Sequence, residues 1–113
     1  MQINPESNNI FPMNLSSTRG TITDAQMSVS GNIVSFNLRF TPSETIPQNY
    51  TIITGFPLSK DITGGAFAIS STTGVNSLLH INNGSLYLSK PTSGTYSLES
   101  GVMHYISGTY QLA

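Results

Sequence analysis

Side chains able to do acid–base or metal chemistry are scarce in this chain of 113 residues. There are two histidines, His80 and His104, and five carboxylates, Glu6, Asp24, Glu44, Asp61 and Glu99. No pair among them has the spacing of a metal site or of glycosidase carboxylates. Serine is abundant, but no serine sits in a nucleophile-elbow sequence, so the coincidence of Ser, His and Asp carries no weight. The chain is therefore not expected to be an enzyme, and neither a cofactor nor a metal is expected. Binding chemistry is better represented. Ser, Thr and Asn make up roughly a third of the sequence, and there are five tyrosines. Hydroxyls and amides bond neutral polar ligands, and a tyrosine ring adds a flat apolar face with a polar tip. Two candidate ligand-binding pairs stand out. His80 and Tyr87 flank the Asn83-Gly84 turn signal, and Lys60-Asp61 is a lone charged pair in a polar stretch.

The elements that must position these residues are strands. Residues 24–40 (DAQMSVSGNIVSFNLRF) alternate apolar and polar on both sides of Gly31-Asn32, as a half-buried antiparallel hairpin does. A turn with Gly31 first pairs Val29 with Val34, Met27 with Phe36 and Ala25 with Leu38 on an apolar face. It sets Ser28 opposite Ser35, Gln26 opposite Asn37 and Asp24 opposite Arg39 on a polar one. A turn at Ser30-Gly31 keeps the same faces but moves Asp24 to Asn37.

A second hairpin spans residues 78–89. Its Asn83-Gly84 turn needs positive φ at both positions, and it pairs Ile81 with Leu86, Leu79 with Leu88 and, on the outer face, His80 with Tyr87. This turn role accounts for Asn83, which like Asn14 and Asn49 also matches the glycosylation pattern. A third hairpin is expected across Ser100-Gly101, with Leu98 by Met103, Tyr96 by Tyr105 and Ser97 by His104. Residues 106–112 either extend its last strand or bend at Gly108. Between the hairpins, residues 41–49 carry two prolines and read as a loop. Short strands follow at residues 50–54 and 66–70. No helical period occurs, so the expected fold is all-β, an antiparallel β-sandwich or small β-barrel built from short hairpins. Residues 1–19 read as an extended N-terminal segment, a linker or a contact with a neighbouring copy, and residues 20–113 as a single β-sandwich or barrel domain.

Composition excludes several partners. With four Lys plus Arg and a net charge of -1, the chain has no basic patch for nucleic acid. No apolar run approaches a membrane span, so a soluble protein without membrane insertion is expected.

The order of features resembles the C-terminal receptor-binding head domains of phage tail-fibre and baseplate proteins. The family pattern of a G-N-x-V opening turn, an I-x-x-L-P element and a small closing strand ending near a tyrosine corresponds to Gly31, Asn32 and Val34, then Ile53, Phe56 and Pro57, then Tyr110. The match spans residues 20–113. It departs from the family at Phe56, which stands where leucine is common, and in having no tryptophan, which sugar sites of the family often use. The resemblance implies a homotrimer at the tip of a virion fibre or baseplate that adsorbs to a host cell-wall or surface saccharide. A structural virion or fibre assembly module without receptor activity fits the same composition, and a small carbohydrate-active enzyme is the third reading.

Overall fold

The computed structural model describes residues 14–58, 65–90 and 96–112, so the Lys60-Asp61 candidate lies outside the described residues. Among those residues there are nine strands and no helix. They are β1 (Gly20–Ser30), β2 (Ile33–Pro42), β3 (Ile46–Pro47), β4 (Thr51–Thr54), β5 (Gly65–Ser70), β6 (Asn76–Asn82), β7 (Ser85–Leu88), β8 (Ser97–Leu98) and β9 (His104–Gln111). Seven form one antiparallel sheet in the order β1-β2-β9-β5-β6-β7-β4, and β3 pairs with β8 in a small second sheet. The large sheet curls into a half-barrel, giving an all-β fold. None of the described residues forms a helix long and apolar enough to cross a membrane.

Alternation makes the inside. Val34, Phe36, Leu38 and Phe40 of β2 are all buried, while Ile33, Ser35, Asn37 and Arg39 between them are exposed. Ala66 and Ala68 of β5, Leu79 and Ile81 of β6, Leu86 and Leu88 of β7, and Ile106 and Tyr110 of β9 complete the same face. Ile46 and Leu98 of the small sheet are fully buried and close the concave side. Within this core, Phe36, Phe56 and Tyr110 form an aromatic cluster, with centroids 4.8 Å apart for the two phenylalanines. The Tyr110 hydroxyl donates to the Pro57 carbonyl at 2.7 Å, which satisfies the one polar atom that this packing buries.

Both hairpin turns lie where the alternation puts them. Ser30 pairs with Ile33, Val29 with Val34 and Met27 with Phe36, and Leu79 pairs with Leu88 and Ile81 with Leu86. In the first hairpin the register then shifts between Thr23 and Gln26, so that Thr23, not Asp24, pairs with Arg39. Asp24 takes φ +52° at this bulge. In β4 a similar irregularity between Thr51 and Ile53 lets the consecutive Ile52 and Ile53 both be buried. Strict alternation would forbid that.

The third hairpin is not formed. A turn does exist at Ser100-Gly101, with the Val102 N–H donating to the Glu99 carbonyl at 3.2 Å and Gly101 at φ +78°. Its two arms, however, part company: β8 joins β3, while β9 runs between β2 and β5. The reason lies in what the turn touches. Gly101 N–H bonds the Pro42 carbonyl and Ser100 Oγ donates to the Ser43 carbonyl, so the turn is tied to the end of β2. Residues 41–49 are correspondingly more ordered than a plain loop, holding the end of β2 and all of β3. β9 is continuous through Gly108. A Cβ there would lie 2.5 Å from that of Ala66, so the close approach of β5 requires glycine.

The N-terminal segment lies against the domain's own sheet over its described part. Ser16 and Thr54 exchange backbone hydrogen bonds at 3.0 and 2.9 Å, and Ser17 Oγ donates to the Ile52 carbonyl. This covers the free edge of β4, which would otherwise offer unpaired backbone groups. Gly55 permits the approach: at φ +97°, a Cβ would meet the Asn14 carbonyl.

Candidate functional site

The outward face of the half-barrel carries the candidate site, and the register fixes which side chains are neighbours there. One row across the strands reads Arg39, Tyr105, Ile69, Asn76; the next reads Asn37, Ser107, Phe67, Leu78; the next reads Ser35, Thr109, Gly65, His80, Tyr87. Tyr105 is 46% exposed and Phe67 49%, and Ile69 and Leu78 are exposed as well. Large apolar side chains on a solvent face are the informative exception in a small domain.

The β1 bulge shapes one end of this face. By throwing Asp24 out of register it brings that carboxylate back toward Arg39, Nη1 to Oδ2 3.1 Å. The guanidinium also lies 5.7 Å from the centroid of the Tyr105 ring. Over this group runs an open groove of about 480 Å³, bordered by Asp24, Gln26, Asn37, Arg39, Tyr105 and Ser107. Its two charges are paired with each other. Its remaining polar side-chain groups are the Gln26 and Asn37 amides and the Ser107 and Tyr105 hydroxyls, each able both to donate and to accept. Such a groove suits a neutral ligand rich in hydroxyls, with Tyr105 as the flat wall.

His80 and Tyr87 meet at the other end. They are register partners, with ring centroids 5.2 Å apart and planes 8° apart. His80 Nδ1 lies 2.9 Å from Ser89 Oγ, and burial lowers its pKa. Each ring thus gives one face to the other, and both side chains are half-buried. A cross-strand aromatic stack with one imidazole nitrogen already bonded is explained by the sheet itself. Sequence reasoning put Asp24, Arg39, Gln26 and Asn37 on the polar face, but it did not read them as a site. The missing information was the strand order: only with β9 beside β2 does Tyr105 become their wall. Among the described residues no group of three His, Cys, Asp or Glu could hold a metal.

Comparison with known proteins finds no matching family model, no matching curated protein and no matching solved structure.

Proposed function

We propose that this chain is the receptor-binding head of a phage tail fibre or baseplate, and that it adsorbs to a neutral saccharide of the host surface through the groove at Arg39 and Tyr105. The observation that carries the binding part is this groove, in which a paired Asp24 and Arg39, the Gln26 and Asn37 amides and an exposed tyrosine ring converge. Carboxylate and guanidinium cancel in charge while offering acceptors and donors, and the ring offers the apolar contact that a pyranose face needs. The virion part rests on the order of motifs from Gly31-Asn32 to Tyr110. Titration of the whole chain with purified host cell-wall glycan tests it: saturable binding that Tyr105→Ser abolishes at unchanged melting temperature is the expected result. Absence of binding to any host-surface saccharide overturns it.

A second reading, an assembly module without receptor activity, is favoured by one observation. Phe67, Ile69 and Leu78 form an apolar patch beside the groove, and a symmetric neighbour would cover it. Light scattering decides whether the homotrimer exists. A trimer that Phe67→Asp dissociates, in a protein that binds no glycan, supports this reading over the first.

A further inference from the structure

The two edges of the seven-stranded sheet are finished differently. The β4 edge is covered through the Ser16–Thr54 bridge, whereas no described strand pairs with the outer edge of β1. That edge belongs to the longest strand among the described residues, Gly20–Ser30. Edges are normally blunted by lysine, proline, a bulge or a short strand. β1 has a bulge between Thr23 and Gln26. Beyond it, residues 26–30 (QMSVS) carry no charge and no proline, and they keep unbroken register with β2 up to the turn.

The core also thins toward this edge. The inward residues of β2 from Val34 to Phe40 are all buried, but of those on β1 only Met27 is, and Ile22, Ala25 and Val29 are partly buried. The register assigns the backbone groups as well. In a two-residue hairpin the pair flanking the turn, here Ser30 and Ile33, exchanges both backbone bonds, and the pattern then alternates. Ser30, Ser28 and Gln26 therefore direct their N–H and C=O groups at β2, and Val29 and Met27 direct theirs at the free edge.

This segment is complementary to itself. Laid antiparallel on a second copy with Ser28 at the two-fold axis, Met27 of each copy faces Val29 of the other. Those are the residues with outward backbone groups, so each pair exchanges both its bonds. Apolar inward side chains meet each other, and Gln26 meets Ser30 on the polar face. The overlap ends without a clash of register, because the Gly31 turn of each copy falls opposite the bulge of the other.

We propose that the chain self-associates through β1, two copies joining edge to edge about a two-fold axis at Ser28 into one continuous antiparallel sheet. The occupant is a second copy because one segment supplies both halves of the contact. The joined sheet turns the outward grooves of both copies to the same side. The contact is separate from the patch at Phe67 and from saccharide binding, and depends on neither reading above.

The chain has no cysteine, so single-cysteine variants of the full chain report the register. Opposed residues that do not share hydrogen bonds have Cα atoms about 4.5 Å apart, within disulfide reach. On oxidation Ser28→Cys should link to itself roughly tenfold faster than Gln26→Cys or Ser30→Cys alone, because pairing holds its thiols together. Gln26→Cys mixed with Ser30→Cys should link across. Sedimentation of the unaltered chain should show a two-chain species that grows with concentration. Val29→Pro removes an N–H aimed at the free edge and none bonded to β2, so it should abolish this species while the fold is kept. If that variant does not fold, Ser28→Lys and Ser28→Glu should each be dissociated by like charges at the axis and should associate when mixed. Phe67→Asp, on the outward patch, should leave the Ser28→Cys linking unchanged. A chain that shows no two-chain species at any concentration, with Ser28→Cys linking no faster than Ser30→Cys, overturns the proposal. Self-linking fastest at Ser30→Cys or Gln26→Cys overturns the register.

Discussion

Asp24 and Arg39 form an ion pair at 3.1 Å although they are not register partners; Thr23 occupies the place opposite Arg39. The bulge that displaces Asp24 into positive φ also turns its carboxylate back across the strand. Both side chains are more than half exposed or close to it, so the pair is worth no more than about 1 kcal/mol, and the backbone conformation is the larger constraint. Asp24→Gly should therefore be near neutral, because glycine relieves the left-handed backbone while the pair is lost. Asp24→Val should cost about 1–3 kcal/mol, since a β-branched residue tolerates that region worst. Urea denaturation of the two variants checks this; equal destabilisation would show that the ion pair, not the bulge, sets the local energy.

The cluster of Phe36, Phe56 and Tyr110 supplies the second prediction. Phe36 is buried mid-strand against both other rings, so Phe36→Ala should cost about 3–5 kcal/mol by opening a cavity. Tyr110→Phe keeps the ring and removes only the bond to Pro57, and should cost about 1–2 kcal/mol. Chemical denaturation that ranks the two the other way round would place the stabilisation in the hydrogen bond.

These two cases show what could be read in the sequence. The faces and turns of both long hairpins were legible, because alternation over many residues and the Gly31-Asn32 and Asn83-Gly84 signals agree. The bulge at Asp24 was not. An aspartate can adopt positive φ, but nothing in an alternating pattern marks where one extra residue has been taken up. The fate of residues 97–98 was hidden for a different reason. A two-residue strand has no period, and what drew it to β3 is the docking of the Ser100-Gly101 turn on the end of β2. The candidate site followed the same logic: its polar members sit on one legible hairpin, but Tyr105 and His104 acquire their faces only from the position of β9 in the sheet.

Stability should fall on mild acidification. Burial lowers the pKa of His104 below its ordinary 6.5, with the Val102 backbone and the Glu99 carboxylate opposing the shift. Between that depressed value and 6.5 the unfolded chain binds a proton that the folded one refuses, so stability rises with pH across this window and is lost as pH drops through it. His80, also lowered by burial, contributes with the same sign. Urea midpoints measured from about pH 7.5 to about pH 5 should decline, and His104→Gln should flatten the decline. A midpoint that holds or rises on acidification would mean that His104 is protonated in the fold.

The outward face offers the sharpest separation of packing from binding, because it holds two exposed-face tyrosines in different surroundings. Tyr87 is half-buried and stacked on His80, whereas Tyr105 is 46% exposed and borders the groove. Tyr87→Ala removes a cross-strand aromatic pair, which should lower stability by about 0.5–1.5 kcal/mol and leave glycan binding intact in the folded fraction. Tyr105→Ser should do the reverse, removing the ring wall while the melting temperature barely moves. Both variants should be compared by calorimetric melting and by adsorption to purified host cell-wall glycan. If Tyr87→Ala abolished adsorption while Tyr105→Ser retained it, the sugar would lie against the His80 stack and the groove at Arg39 would lose its assignment.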